Sequence, residues 1–401
     1  MGLADRRDVP VPTAGRDEWL PFHQPSIGDA EIAEVVDTLR SGWLTTGAKT
    51  RRFEQDFAQR LGMDEALALS SCTAALQIAL RICGVGPGDD VIVPTYTFTA
   101  TAEVVTHLGA RPVLADVDPA TCNLDAASLE RALTPRTKAV VPVHIGGLPC
   151  PMDDILDVAR GRGLAVIEDA AHALPGSSRG RPLGTIGDAG AFSFYATKNI
   201  TTGEGGMLVV RDPARAEEAR LLALHGMSRD AWKRYSSAGQ WRYRVVANGY
   251  KSNLDDVASS LGIHQLARLD VFHARRRAIA ARYRRGLADL EAIALPAEAA
   301  PGDEHAWHLY MIRVRSGALR IGRDAFIEEL RARHIGTSVH FIPLHLHPYY
   351  QRAWGYVPGD LPGAEEAFAD VLSLPLYPAM TDDDVDDVVA AVADAARAHG
   401  R

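Results

Sequence analysis

The stretch Leu164-Ala165-Val166-Ile167-Glu168-Asp169 decides the fold, because four apolar residues run on without alternation and end at two carboxylates. A strand that is apolar on both faces is covered on both, as in a parallel sheet between layers of helices. Similar apolar runs precede it, with helical periodicity between them. The runs lie at 91–93, 113–115 and 139–141, and the predicted helices at 99–108, 126–133 and 151–162. This alternation predicts an α/β fold with a mostly parallel sheet.

The flanking segments extend the pattern. Toward the N-terminus, helices are predicted at Ile32, Val35, Val36 and Leu39, over 51–60, and after the capping residues Ser70 to Thr73. Toward the C-terminus, the predicted elements are strands at 192–194 and 207–210, a long helix over about 254–287, strands at 307–314 and 337–341, and helices at 323–333 and from Thr381. We therefore expect a disordered tail over 1–20, a large α/β domain over 21–265 and a smaller C-terminal α+β domain over 266–401.

Composition restricts the function classes. Of the 401 residues, 47% are hydrophobic and 23% are charged, and the net charge of -8 argues against nucleic-acid binding. No apolar run reaches the roughly 18 residues of a membrane span. Residues 1–19 lack the apolar core of a secretion signal, so we expect a cytoplasmic protein. The cysteines show no CxxC spacing and are predicted to be reduced and structural; they are Cys72, Cys83, Cys122 and Cys150.

Lysine chemistry has few candidates in this chain. The lysines are Lys49, Lys138, Lys198, Lys233 and Lys251. Lys198 lies between the glycine-rich stretches 187–190 and 203–206, where the backbone can approach a ligand closely. Among aromatic and hydroxyl residues its amine can be desolvated, which lowers its pKa toward a nucleophilic range. A surface lysine in a glycine-rich turn would give the same pattern.

Three further segments follow predicted strands. Asp169 ends a strand at the sheet edge where α/β proteins bind ligands, and its carboxylate suits a protonated ring nitrogen. Position alone does not select it, because Asp116 also ends a strand and an aspartate there is often a turn residue. Residues 70–75 precede a helix and suit a phosphate or ordinary capping. Phe98 could stack on a planar ring or pack in the core.

Other site types find little support. His340, His345 and His347 are closely spaced, but the segment contains Pro343 and no HExxH pattern, so no metal site is predicted. The sequence also lacks a P-loop, a GxGxxG after a strand and a GxSxG elbow.

Taken in order, these motifs resemble the DegT/DnrJ/EryC1/StrS family of sugar-nucleotide aminotransferases, which depend on pyridoxal 5'-phosphate (PLP). The resemblance runs from Gly42 to the last helix. It rests on the motifs Ser71-Cys72-Thr73-Ala74, Pro94-Thr95-Tyr96-Thr97-Phe98, Glu168-Asp169-Ala170-Ala171-His172, Ser193-Phe194-Tyr195-Ala196-Thr197-Lys198-Asn199, Gly249-Tyr250-Lys251-Ser252-Asn253 and Ser373-Leu374-Pro375-Leu376. It implies PLP fold type I, the aspartate aminotransferase fold.

The resemblance also implies a role for each site residue. Lys198 would bind PLP as a Schiff base and move the proton between substrate and cofactor. Asp169 would pair with the pyridine nitrogen, His172 would lie beside the ring and its phenolic oxygen, and Phe98 would stack on the ring. The phosphate would be held by Thr73, Ala74 and Ser193, and by Asn253 from the second subunit of a homodimer with shared active sites. Cys72 and His172 depart from the family's usual Gly or Ala and Gln.

The implied reaction is a two-stage exchange in which glutamate aminates the cofactor, which then aminates a keto sugar linked to a nucleotide. The loop 198–206 and the segment 230–235 look like those of members that act at C4, which favours a 4-keto-6-deoxyhexose in deoxyaminosugar biosynthesis and natural product glycosylation. Lys233 and Arg234 would meet the substrate diphosphate or lie in a solvated loop; Thr45 and His340 are further substrate-binding candidates. A C3-keto sugar nucleotide, a keto-cyclitol and a catalytically idle regulatory homologue remain as alternatives. Because Lys198 is retained, the dehydration of one lysine-free subgroup is not expected.

Overall fold

Twelve strands and the helices around them are seen in a computed structural model that describes residues 16–228, 243–315 and 317–401. The strands are β1 Ala66–Leu69, β2 Asp90–Pro94, β3 Arg111–Ala115, β4 Thr137–Val140, β5 Ala165–Asp169, β6 Ser177–Ser178, β7 Arg181–Pro182, β8 Ala189–Ser193, β9 Gly206–Val210, β10 Ile293–Ala294, β11 Tyr310–Val314 and β12 Val371–Leu374. The α-helices are α1 Asp29–Ser41, α2 Ala48–Leu61, α3 Cys72–Ile82, α4 Ala100–His107, α5 Ala126–Ala132, α6 Met152–Arg160, α7 Pro213–Leu222, α8 Asp256–Ala267, α9 Leu269–Leu287, α10 Arg323–Ala332, α11 Pro348–Trp354, α12 Pro362–Asp370 and α13 Asp382–Ala398.

The central sheet has seven strands in the order β1-β9-β8-β5-β4-β2-β3. Strands β3, β2, β4, β5 and β8 are parallel to one another, whereas β9 runs antiparallel to both β8 and β1. Strand β1 therefore runs in the same direction as β8. The predicted α/β fold with a mostly parallel sheet is confirmed.

Both faces of this sheet are buried, as the unbroken apolar runs predict. Ile92, Val140 and Val166 pack in a core on one face, while Val91 and Ile167 belong to the core on the other. Alternate residues of a strand point to opposite faces, so apolar residues at consecutive positions supply both cores.

The C-terminal third contains a second, antiparallel sheet in the order β10-β11-β12. It packs with α9 and α13 in a separate core that includes Tyr283, Ile312 and Val388. Helix α13 begins with a capping box in which Thr381 accepts from the Asp384 N–H and the Asp384 side chain accepts from the Thr381 N–H. The predicted start of the last helix is confirmed.

Two predicted elements were wrong. The single helix over 254–287 is two helices, α8 and α9, separated at Arg268, whose side chain bonds to Glu31 and to the Ser26 carbonyl of a distant segment. The strand over 337–341 is reduced to one bridge between Ser338 and Ser373. There the carbonyl of His340 accepts from the Tyr96 hydroxyl instead of a neighbouring strand.

Part of the predicted disordered tail contacts the folded chain. Arg16 forms ion pairs with Asp384 and Asp387 of α13, and Leu20 is buried and bridges Ile335. Residues 16–20 are therefore ordered against the C-terminal part, which corrects that boundary; residues 1–15 lie outside the described residues. Over the described parts of the chain, every helix is too short or too polar to cross a membrane.

Candidate active site

Four elements of the site follow the carboxyl ends of β1, β2, β5 and β8. These strands run in the same direction, so their ends meet at one edge of the sheet. Helix α3 follows β1, Phe98 follows β2, Asp169 ends β5, and Lys198 lies in the loop after β8. The topology therefore brings the predicted site residues to one edge.

Lys198 lies in a turn in which its N–H donates to the Tyr195 carbonyl at 2.9 Å. The loop around it is closed by backbone bonds from Phe194 N–H to the Gly205 carbonyl and from Thr202 N–H to the Phe194 carbonyl. Burial lowers the pKa of the Lys198 amine to about 8, although the nearby Cys72 and Asp169 oppose this shift. An amine with this pKa is neutral, and so nucleophilic, far more often at physiological pH than an exposed lysine.

Asp169 is 5% exposed and its carboxylate is held on both oxygens. Oδ2 accepts from the Thr101 hydroxyl at 2.8 Å and Oδ1 from the Ala171 N–H at 3.1 Å. Burial raises the pKa of this carboxyl, while these two hydrogen bonds and the charge of Lys198 favour its ionised form. The Cys72 sulfur lies 3.9 Å from Oδ1, so the unusual cysteine contacts the carboxylate directly.

His172 belongs to a row of rings. Its imidazole stacks on Phe341 at a centroid distance of 5.9 Å and an interplanar angle of 13°, and Phe341 lies 6.2 Å from Phe98. Burial, with the nearby charge of Lys198, lowers the pKa of His172 well below its usual value, so the ring is neutral. Phe98 is 60% exposed, which leaves its ring available for stacking and rules out the core-packing alternative.

The first turn of α3 lies beside Ser193. Ser71 is the N-cap of α3 and accepts from the Ala74 N–H at 3.1 Å. Gly206 of β9 pairs with both Leu69 and Ser193, and so brings Ser193 near this turn, which also contains Thr73. Helix N-termini with small side chains suit a phosphate.

The structure describes three of the remaining predicted site residues: Asn253, Thr45 and His340. The Asn253 backbone bridges Leu69, and its side chain donates to the Thr46 hydroxyl at 2.6 Å. Thr45 is exposed. His340 is partly buried and its Nδ1 lies 2.9 Å from the Ser373 hydroxyl; burial and the charge of Lys198 lower its pKa to about 4, which places it near that amine. Lys233 and Arg234, with the segment 230–235, lie outside the described residues.

In the histidine-rich segment, both ring nitrogens of His345 contact other side chains. His345 Nδ1 lies 2.8 Å from the Thr95 hydroxyl and Nε2 lies 2.9 Å from Glu365. Within the described ranges, three or more metal-ligating side chains nowhere gather closely enough to hold a metal ion.

Sequence reasoning missed Thr101 and Gly206. Thr101 lies in the first turn of α4, one turn after Phe98, and this position at the sheet edge is the signal that could have found it. Gly206 lies in the glycine-rich stretch 203–206. Its close approach to α3 depends on β9 lying beside β1, and the local sequence does not show that pairing.

The donor set fits PLP. A partly buried lysine, a buried carboxylate, an exposed aromatic ring and a helix N-terminus with a serine nearby could supply partners for its aldehyde, ring nitrogen, ring face and phosphate. The fold is that of the PLP enzymes of fold type I. The chain belongs to the DegT/DnrJ/EryC1/StrS aminotransferase family, whose model matches residues 25–393. It is an aminotransferase and its cofactor is PLP.

Similar proteins cover almost the whole chain. The spore coat polysaccharide biosynthesis protein SpsC of Bacillus subtilis is 52% identical over 380 residues, which are 94% of this chain and 97% of SpsC. The crystal structure of the aminotransferase TlmJ from Streptoalloteichus hindustanus has a TM-score of 0.86 at 40% identity and covers 94% of this chain and 98% of TlmJ. The PLP form of the putative sugar aminotransferase Spr1654 from Streptococcus pneumoniae has a TM-score of 0.88 at 36% identity and covers 95% and 99%.

Proposed function

We propose that the protein transfers an amino group from L-glutamate to a nucleotide-linked 4-keto-6-deoxyhexose. The single observation that carries the amine chemistry is the proximity of Lys198, whose pKa is about 8, to the buried Asp169. SpsC is a spore coat polysaccharide biosynthesis protein and Spr1654 is a putative sugar aminotransferase, which supports a sugar as the acceptor. The C4 position is supported by the loop 198–206.

In this proposal Lys198 has two tasks. Its neutral amine would hold the cofactor, and the same Nζ would move a proton to and from the reacting carbon of the substrate. Bound PLP supplies the electron sink that makes this carbon acidic. Asp169 would face the ring nitrogen and favour its protonated form; the Thr101 hydroxyl and the Ala171 N–H favour the ionised form of this carboxylate against the effect of burial.

The other residues position the cofactor. Phe98 would stack on one face of the ring, and His172 would lie beside the ring and its phenolic oxygen. Thr73, Ala74 and Ser193 would bind the phosphate at the N-terminus of α3. The Ala74 N–H already donates to Ser71, so phosphate binding would share or replace this cap.

We further propose a homodimer in which Asn253 completes the partner's site. Large apolar side chains are exposed in the single chain at Ile32 and Leu39 of α1 and at Leu44, and contiguous exposed apolar surface marks interaction sites. Asn253 bonds to Thr46, which adjoins this segment. Asn253 therefore lies beside the surface that a partner would cover.

Mixing two inactive variants tests the shared site. Lys198→Ala and Asn253→Ala should each be inactive or weak alone, whereas a mixed dimer contains one site with both native residues and regains activity. If mixing restores nothing, Asn253 acts within its own subunit or not at all. Analytical ultracentrifugation of the native protein should show a dimer; a monomer would refute the shared site.

The substrate proposal is tested with the enzyme converted to its amino form by glutamate. The acceptors to compare are 4-keto-6-deoxy and 3-keto nucleotide sugars, the free 4-keto sugar and inosose. We expect the 4-keto nucleotide sugar to restore the PLP absorbance fastest and to give a 4-amino product by NMR. Preference for the 3-keto sugar or for inosose would select those alternatives instead, and failure of glutamate to load the enzyme would refute the donor.

The four cysteines are buried and unpaired, which fits a reducing compartment, and we include a cytoplasmic location in the proposal.

A further inference from the structure

His308, just before β11, connects two of the proposed cofactor residues. Its ring centroid lies 4.4 Å from that of His172, and its Nδ1 lies 3.2 Å from Oδ1 of Asn199, the residue after Lys198. The backbone N–H of His308 donates to the Gly146 carbonyl at 2.9 Å. The side chain is buried, and neither the fold nor the resemblance assigns it a role.

The Asn199 contacts determine which nitrogen of His308 carries the proton. Asn199 Nδ2 donates to the carbonyls of Leu174 at 2.7 Å and Ala306 at 2.9 Å. A carbonyl only accepts, so the amide orientation is fixed and Oδ1 faces His308 as an acceptor. His308 Nδ1 must therefore carry a proton and donate it to Asn199.

His172 has the opposite arrangement. Its Nδ1 lies 3.3 Å from the Gly146 nitrogen, and a backbone N–H only donates, so Nδ1 is unprotonated and Nε2 carries the proton. The glycines in this turn allow the approach: Gly146 has φ +62°, and a Cβ on Gly147 would lie 2.8 Å from the His172 carbonyl oxygen. His172 thus presents an Nε2–H donor, the group needed beside a phenolic oxygen.

Both imidazoles are neutral. Burial, with their mutual proximity and the charge of Lys198, lowers the pKa of His308 well below its usual value, as burial does for His172. A neutral pair adds no positive charge beside the Lys198 amine and can pack ring against ring without repulsion.

We propose that His308 is a positioning residue: its Nδ1–H holds Asn199, and with it the backbone of the cofactor-binding lysine, while its ring packs beside His172. Removing the Nδ1 donor would leave the buried Asn199 oxygen unsatisfied and loosen the turn that aims Lys198. This inference rests on the proposed roles of Lys198 and His172, and its tests are chosen to fail separately from them.

The first test uses wild-type protein without cofactor, so it does not depend on PLP chemistry. Nitrogen-15 NMR of labelled histidines should show His308 protonated at Nδ1 and His172 protonated at Nε2. A His308 protonated at Nε2, or exchanging between tautomers, would overturn the proposal even if Lys198 binds PLP.

The second test separates the hydrogen bond from the ring. His308→Asn places an amide N–H near the position of Nδ1 and removes the ring, whereas His308→Phe keeps a ring and removes the donor. We expect PLP affinity to fall about tenfold in His308→Phe, as for loss of a buried hydrogen bond, and to be largely retained in His308→Asn. Equal losses in the two variants, or none in either, would contradict the positioning role. If His308→Phe fails to fold, the NMR measurement decides.

Discussion

A Cβ atom on Gly206 would lie 2.4 Å from the carbonyl carbon of Ser71 and 2.5 Å from the nitrogen of Cys72. Real Cβ atoms do not approach backbone this closely, so β9 can lie beside the first turn of α3 only with glycine at this position. The contact fixes the proposed phosphate-binding turn against the strand that pairs with Ser193.

Gly206→Ala should therefore displace the N-terminus of α3. We expect a loss of about 1 to 3 kcal/mol in the free energy of unfolding, typical of overpacking, with weaker PLP binding. Urea unfolding and PLP titration measure the two effects. Gly86→Ala is the matched control, because a Cβ there meets no atom within 4 Å. An unchanged PLP affinity in Gly206→Ala would show that the turn does not bind the phosphate.

Thr101→Val tests the support of Asp169. Valine keeps the shape of threonine but removes the hydroxyl that donates to Asp169 at 2.8 Å. A hydrogen bond to a charged group contributes about 1.5 to 3 kcal/mol, so PLP should bind at least about tenfold more weakly. Thr101→Ser keeps the hydroxyl and should stay close to wild type. Similar PLP affinities in the two variants would show that the Thr101 hydroxyl does not support Asp169.

Asp169→Asn should impair chemistry more than folding. The amide cannot stabilise a protonated ring nitrogen, so the first half-reaction with glutamate should slow by at least about a hundredfold, in the range of a lost acid–base contribution. Stopped-flow absorbance measures this rate, and circular dichroism checks the fold. A rate within a few fold of wild type would show that another group faces the ring nitrogen.

The pKa of Lys198 predicts how PLP capture depends on pH. The neutral amine is the nucleophile, and burial lowers its pKa to about 8, so the neutral fraction rises with pH and is half-maximal near that value. The second-order rate of PLP capture by cofactor-free protein should follow the same curve. A midpoint near the usual lysine pKa, about 10.4, would show that the amine is not desolvated.

The parts of the fold that sequence predicts are those set by local pattern. The apolar runs of β2 and β5 are buried on both faces, so their composition alone predicts a covered parallel sheet. Helix α1 shows the limit of such reasoning. Its apolar residues predict a helix, yet Ile32 and Leu39 are exposed and Glu31 and Thr38 are buried, because periodicity does not show which surface a helix packs against.

Sequence reasoning likewise predicts some residues of the site and misses others. Lys198 and Asp169 lie in motifs that the sequence shows directly. Thr101, Gly146 and His308 act through contacts with residues that are distant in the chain, and only the assembled sheet brings them together. The strand predicted over 337–341 was wrong for a related reason, since the carbonyl of His340 bonds to the side chain of Tyr96, which is distant in the chain.

The central claim, that Lys198 binds the cofactor, is tested most directly by mass spectrometry. Borohydride reduction of the PLP-loaded protein makes the bond between cofactor and lysine permanent, and digestion then locates it. We expect the adduct on the peptide that contains Lys198, with none in Lys198→Ala. An adduct on Lys49, Lys138, Lys233 or Lys251 instead, or a protein that captures no PLP, would contradict the account.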